Sequence, residues 1–262
     1  MINFDFDYYK ASDLKSAYDL YKDLTGKGKK VFYYAGGTEL ITSFRKGTIK
    51  ADALIDIKDI EGIKTIRCEE EVVLGGCLTL NEIIETHNID ILKEVLIHIG
   101  DHTVRNAITI GGNICGRLPY KEAILPLLAL DADIVTYGEQ GLREVKLRDL
   151  FDKRLKLSPG EILYQIKYLN KRITYGMKRY TETTSVDYPI VHVFVRNDSE
   201  KSVAVSGYCS YPLFKVFSNE SLEGIKGDFE SFGKDDKRAS KAYKKHLFEE
   251  ALDSIFREME DK

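Results

Sequence analysis

An aromatic and β-branched run, Val31-Phe32-Tyr33-Tyr34-Ala35, ends directly on Gly36-Gly37 and then on a hydroxyl residue, Thr38. Such a run reads as a buried strand. A glycine pair at its end lets the backbone turn tightly, take positive φ and approach a neighbour closely. Tightly turned backbone can aim several N–H groups at a pyrophosphate, a dense acceptor of hydrogen bonds. The same recipe recurs in Thr109-Ile110-Gly111-Gly112-Asn113, where a hydroxyl precedes the glycines and an amide follows them. Two such loops in successive lobes would clamp a dinucleotide between them, where ligand pockets tend to lie. A double glycine is also an ordinary turn signal, so residue pattern alone leaves both readings open. No G-x-G-x-x-G follows a strand and no G-x-x-x-x-G-K-S/T occurs, which argues against Rossmann and Walker sites.

The pattern around these loops divides the chain in three. Residues 1–57 read as strand, helix, strand. Ser12 is the expected N-cap, Leu14, Ala17, Tyr18, Tyr21 and Leu24 share a helical face, and Gly26 supplies the stop. Leu54-Ile55-Asp56-Ile57 closes this lobe as a strand. Residues 58–170 form a second lobe, with strands expected at 64–67, 72–75, 133–137 and 162–168. Thr79 and Glu82 make a capping box, 89–99 is helical, 109–113 is a loop, and 123–130 is compact and apolar. Residues 171–262 read as a helix–strand alternation, with strands at 188–195 and 202–208. Ala239, Tyr243, Leu247, Ala251, Ile255 and Met259, with Phe248 and Leu252 beside them, mark one face of a long terminal helix. That stripe is expected to pack on its own sheet rather than in a partner's groove.

Composition narrows the function classes. Hydrophobic residues at 43% and charged residues at 31% suit an ordinary soluble globular chain. A net charge of -3 gives no broad attraction to phosphate backbones, so nucleic acid is not an expected partner. The apolar run from Ile124 to Leu130 is far too short to span a bilayer, and the N-terminus lacks the form of a secretory signal, so a cytoplasmic address is expected. Cys68, Cys77, Cys115 and Cys209 are widely spaced with no C-x-x-C, so this chain is expected to hold neither zinc nor an iron–sulfur cluster. Its cysteines read as reduced, small hydrophobes. Any electrons it handles must then arrive from a centre on another chain.

Four stretches carry a family resemblance that spans essentially the whole chain. Tyr34-Ala35-Gly36-Gly37-Thr38-Glu39-Leu40 resembles the first flavin loop of the FAD subunits of the xanthine dehydrogenase and molybdenum carbon monoxide dehydrogenase family. Val104-Arg105-Asn106-Ala107-Ile108-Thr109-Ile110-Gly111-Gly112-Asn113-Ile114 resembles the second and is the more specific of the two. Leu127-Leu128-Ala129-Leu130-Asp131-Ala132 continues the match, and Asp236-Lys237-Arg238-Ala239-Ser240-Lys241-Ala242-Tyr243-Lys244 is similar to the signature opening that family's last helix. The resemblance implies an α+β fold: two lobes of the vanillyl-alcohol-oxidase (PCMH) type around FAD, then a small α/β C-terminal domain. It implies a heterotrimer, in which a small subunit carries 2Fe–2S clusters and a large molybdopterin subunit oxidises the substrate. FAD would take electrons from those clusters and pass pairs to NAD or another acceptor.

Carried over residue by residue, the resemblance places backbone from Ala35, Gly36, Gly37, Thr38 and Glu39 to Leu40, and from Ile110, Gly111 and Gly112 to Asn113, around the pyrophosphate and ribityl chain. Thr38 and Thr109 would add hydroxyls, and Ile99 an apolar contact to the flavin ring. Glu122 stands where the family usually has an aspartate near FAD, and Gly116-Arg117-Leu118-Pro119-Tyr120-Lys121 departs from the family's small-residue and Pro-Ala pattern. Lys178 or Arg179 would meet the electron-rich end of the reduced ring. His98 and His102 have metal-ligand spacing but Gly100 between them and no third ligand, so solvated histidines are expected. Asp187 and His192 flank Tyr188-Pro189-Ile190-Val191, where proline suggests an edge strand and a structural role. No catalytic acid–base pair stands out. Two rivals to the subunit reading remain: a stand-alone flavin oxidoreductase of the same fold superfamily, and a flavin-free assembly scaffold.

Overall fold

The computed structural model describes residues 1–182, 188–218 and 220–261. The chain forms two compact units. One takes in Met1–Lys93, Asp101–Arg117 and Ala132–Asn170, and the other Glu94–Gly100, Leu118–Asp131 and Lys171–Lys262. The short stretches 94–100 and 118–131, which pattern reading places in the second lobe, thus group with the C-terminal segment.

The first unit opens with β1 (Asp7–Lys10), α1 (Leu14–Gly26), β2 (Val31–Tyr34), α2 (Thr38–Arg45) and β3 (Ala53–Asp56). The three strands form a parallel sheet in the order β1-β3-β2. Side chains alternate across it. Ala53 and Ile55 join Ala17 and Leu24 of α1 on one face, while Leu54 joins Phe44 of α2 on the other. The helix α1 is capped by Asp13, whose side chain accepts from the Ser16 N–H, and not by Ser12. Ser12 lies one residue too early to reach that donor. The stop is also shifted: Gly26 is still helical, and the left-handed turn falls at Gly28, with φ 77°.

The next elements are β4 (Ile66–Cys68), β5 (Glu71–Gly75), α3 (Leu80–Ile84), α4 (Asp90–Leu96), α5 (His102–Arg105), α6 (Ile110–Cys115) and α7 (Ile124–Ala129). They are followed by β6 (Asp133–Gly138), β7 (Gly141–Lys146), α8 (Leu147–Leu150), β8 (Phe151–Asp152), β9 (Arg154–Leu155) and β10 (Ile162–Leu169). An antiparallel sheet runs β4-β5-β10-β6-β7. The capping box at α3 is present, with Thr79 accepting from Glu82 N and the Glu82 carboxylate accepting from Thr79 N at 2.7 Å. The strand β7 escapes pattern reading because its Arg143 and Glu144 face solvent at a sheet edge.

The second unit adds β11 (Tyr175–Thr181), β12 (Pro189–Asn197), β13 (Lys201–Ser206), β14 (Leu213–Phe217), α9 (Leu222–Glu230) and α10 (Lys241–Glu260). Its four strands form an antiparallel meander in chain order. The strand β12 is therefore interior. Pro189 is tolerated because it is the first residue, where a missing N–H disturbs the ladder least. Val191, Val193, Val195, Val203 and Val205 pack against Leu247, Phe248, Ala251, Leu252 and Ile255 of α10, so the terminal stripe is buried on its own sheet. Tyr243 is half exposed and Ala239 precedes the helix, whose N-cap is Ser240. A four-residue spacing advances about 40° per step around a helix of 3.6 residues per turn, so the stripe drifts off the buried face toward its start. No helix among the described residues is long and apolar enough to cross a membrane.

Phe44 is fully buried, with Phe4 at 5.2 Å edge-on and Phe6 and Phe32 around it. Phe44→Ala is expected to cost about 3 kcal/mol of stability through lost burial and a residual cavity. Urea unfolding followed by circular dichroism measures this. A loss below about 1 kcal/mol would show that the cluster collapses around the gap.

Candidate functional site

The first double glycine is built by close packing on both sides. A Cβ at Gly36 would stand 1.7 Å from the Ala107 carbonyl oxygen and 3.3 Å from Thr109 N. Only glycine lets the first segment lie directly on the second. Gly37 takes φ 69°, and a Cβ there would also fall 2.2 Å from the Tyr34 ring. The helix α2 starts immediately after, with its first bond from Ile41 N to Gly37 O at 2.8 Å. No side chain caps this helix, and the N–H groups of Gly37, Thr38 and Glu39 meet no acceptor among the described residues. Unpaired N–H groups at the positive end of a helix make a ready anion site. Lys58 lies close by, its ammonium 4.3 Å from the centre of the Tyr34 ring and 2.7 Å from Asp56.

The second segment is organised differently from the open loop expected at 109–113. Thr109 is the N-cap of α6, so the glycines sit in its first turn. The backbone donors are occupied: Ile110 N by Leu78 O at 2.9 Å, Gly111 N by Gly76 O at 3.0 Å, Gly112 N by Thr109 Oγ1 at 3.1 Å, and Asn113 N by Thr109 O at 2.9 Å. These four N–H groups thus already have acceptors within the chain, unlike those at the start of α2. What Thr109 keeps is the hydrogen of its hydroxyl, since the oxygen is the acceptor for Gly112.

A third pair, Gly75-Gly76, which the sequence pattern does not single out, makes the packing possible. A Cβ at Gly111 would be 2.6 Å from Gly76 O, and one at Gly76 would be 2.5 Å from Leu163 O of β10. The signal was available, since Gly75-Gly76 also ends a β-branched run. The approach to the second segment is held by buried Asn81, which donates to His102 O at 2.9 Å and to Asn106 Oδ1 at 2.7 Å and accepts from Arg105 Nε at 3.1 Å.

The remaining candidates separate. Leu40 packs with Phe44 beneath α2. The Glu39 carboxylate accepts from Arg117 N at 2.9 and 3.0 Å, within the first unit. In the second unit Ile99 is buried. Glu122, also buried there, accepts from Arg179 Nε at 2.7 Å and lies 2.7 Å from His192 Nδ1. Burial raises the Glu122 carboxyl, but His192 and Arg179 outweigh it and hold the group below the usual glutamate range. His192 Nε2 is buried without a partner among the described residues. Lys178 points to the opposite face of β11 and pairs with Glu258 of α10 at 2.5 Å. His98 and His102 are exposed, and no group of three metal-ligating side chains occurs among the described residues. Asp187 lies outside the described residues. All four cysteines are free thiols, and burial pushes the Cys77 thiol up to about 12.

Residues 4–168 match the family described as FAD binding domain in molybdopterin dehydrogenase. The chain belongs to this family. FAD is accordingly its cofactor, and the uncapped start of α2 fits an anionic dinucleotide. Among its relatives, the nicotinate dehydrogenase FAD-subunit of Eubacterium barkeri is 30% identical over 175 residues, covering 62% of this chain and 57% of that protein. The carbon monoxide dehydrogenase medium chain of Afipia carboxidovorans is 29% identical over 174 residues, covering 64% and 59%. The matches thus span less than three-fifths of the length of these relatives. Carbon monoxide dehydrogenase from Hydrogenophaga pseudoflava has the same fold, with a TM-score of 0.86 at 21% identity over 98% of both chains. The α+β organisation expected from the sequence is therefore the one observed.

Glu122→Gln is expected to cost about 3 kcal/mol at neutral pH, because it removes the carboxylate from a buried, hydrogen-bonded ion pair with Arg179. The folded carboxyl is depressed. Its contribution is therefore present above the unfolded value of about 4.3 and lost as pH falls through the folded value. Urea unfolding at stepped pH should show the wild-type advantage shrinking on acidification. An advantage that is constant with pH would contradict the buried charge pair.

Proposed function

We propose that the chain is the FAD-binding electron-transfer subunit of a molybdenum hydroxylase complex. The observation that carries this is the uncapped start of α2, held against the second segment by Gly36, in a chain of the FAD-binding family. In this reading the N–H groups of Gly37, Thr38 and Glu39 receive the pyrophosphate, and the Thr38 and Thr109 hydroxyls add donors to it or to the ribityl chain. The segment 110–113 acts as a rigid wall, its backbone already hydrogen-bonded.

Of the two basic candidates for the ring's electron-rich end, Arg179 is held by buried Glu122. Lys178 pairs with exposed Glu258, and an exposed ion pair exchanges at little cost. FAD, when bound, accepts one electron or two, which suits a place between one-electron clusters and a two-electron acceptor. The four cysteines are dispersed, and no group of three metal-ligating side chains occurs among the described residues. In this reading the electrons come from 2Fe–2S clusters on a small subunit, with molybdopterin on a large one and NAD or another acceptor downstream. This matches the names of its relatives, an FAD-subunit and a medium chain.

Purified chain is expected to be yellow with FAD bound. Gly37→Val, which places a branched side chain at φ 69° against the Tyr34 ring, should lower FAD affinity about a hundredfold or more while far-ultraviolet circular dichroism stays native. Unchanged FAD content in this variant would contradict the placement of the pyrophosphate. Native mass spectrometry of the complex isolated from its source should show molybdopterin and iron–sulfur subunits. A chain isolated alone, active and flavin-loaded, would favour a stand-alone oxidoreductase instead.

A further inference from the structure

Glu39 stands in the first turn of α2, inside the stretch proposed to face the pyrophosphate. A carboxylate that pointed at a phosphate would repel it. Its oxygens are turned elsewhere. Both accept from the Arg117 N–H, Oε1 at 3.0 Å and Oε2 at 2.9 Å. Gly116, the C-cap of α6, passes so close that a Cβ on it would be 2.6 Å from Glu39 Oε2. One carboxylate therefore joins the start of α2 to the chain leaving α6. At the other end of the second segment, Gly36 rests on Ala107 and Thr109 by backbone contact. The two segments are fastened at both ends, once by packing and once by a charge-assisted hydrogen bond.

We propose that the Glu39 side chain has a positioning role, latching the two FAD segments together through the Arg117 N–H rather than contacting FAD itself. The proposal rests on the FAD reading given above. Its physical basis is that hydrogen bonds to a charged acceptor are the stronger class, and that a bridge between the two segments fixes the spacing a dinucleotide must otherwise select on binding. The latch also keeps the carboxylate's charge directed away from the uncapped N–H groups. Glutamine can replace it in part, because an amide oxygen also accepts from an N–H.

The test is FAD titration of the full chain by quenching of flavin fluorescence, beginning with the wild type. Glu39→Ala is expected to weaken FAD by about tenfold or more, and Glu39→Gln by no more than about threefold. Arg117→Pro deletes the donor without touching Glu39, and Gly116 at ψ 168° is already extended, as a residue before proline prefers. It should match Glu39→Ala, and the double variant should lose no more than the weaker single one. Unchanged affinity in Glu39→Ala overturns the latch. Equal losses in the alanine and glutamine variants overturn it too, because the negative charge itself would then be what FAD requires. Additive losses in the double variant mean that the two residues act separately, which also contradicts it. If Arg117→Pro fails to fold, the alanine–glutamine comparison decides alone. A wild-type chain that binds no FAD contradicts the FAD reading instead, and that outcome is seen before any variant is made.

Discussion

At Gly36 the backbone passes so close to the Ala107 carbonyl that an added Cβ would lie 1.7 Å from its oxygen, well inside any permitted contact. The organisation of the site follows from that approach. It brings the end of β2 onto the segment leading into α6, and Gly111 in turn lies on Gly76, which lies on Leu163 of β10. Three successive backbone passages, each open only to glycine, tie the parallel sheet to the antiparallel β4–β10 sheet within the first unit. Side-chain packing adapts when atoms are added, by rotamer change. Backbone packing against a carbonyl has no such freedom, so these positions tolerate no substitution without moving a whole segment.

The consequence for chemistry is a division of labour between two short helices that begin alike in sequence. The start of α6 uses its N–H groups internally, through Thr109, Leu78 and Gly76. The start of α2 leaves its own unused because its N-cap is Gly37, which has no side chain to offer. A serine or aspartate there would cap the helix and occupy the donors that an anion needs. Glycine thus serves three separate demands at the site: close approach at Gly36 and Gly111, left-handed geometry at Gly37, and the absence of a competing cap. The chain's net charge of -3 does not draw an anionic cofactor in, so attraction must be local, from these donors and the nearby Lys58.

Features set within a few residues were legible in the sequence. The Thr79–Glu82 capping box and the strand ending on Gly36 depend only on neighbours, and both are present. Local competition explains the small misses, such as Asp13 in place of Ser12, where either side chain could cap and only helix register decides. Partners far apart in sequence were not legible. Glu122 pairs with Arg179 and His192, 57 and 70 residues away, and nothing local marks them as one buried cluster. Glu39 and the Arg117 N–H are 78 residues apart, and the donor is backbone, which carries no side-chain signature at all. Pro189 read as an edge because a missing donor disfavours sheet interiors, yet its place at the first position of β12 removes the conflict.

In the proposed site FAD is held by free N–H groups at α2 and bounded by already satisfied ones at α6. Amide hydrogen–deuterium exchange with and without FAD reads both at once. Gly37, Thr38 and Glu39 should exchange fast in the free chain and slow markedly when FAD binds. Ile110, Gly111, Gly112 and Asn113 should be protected from the outset and change little. Fast exchange at 110–113 that FAD suppresses, with no change at 37–39, would contradict this placement of FAD.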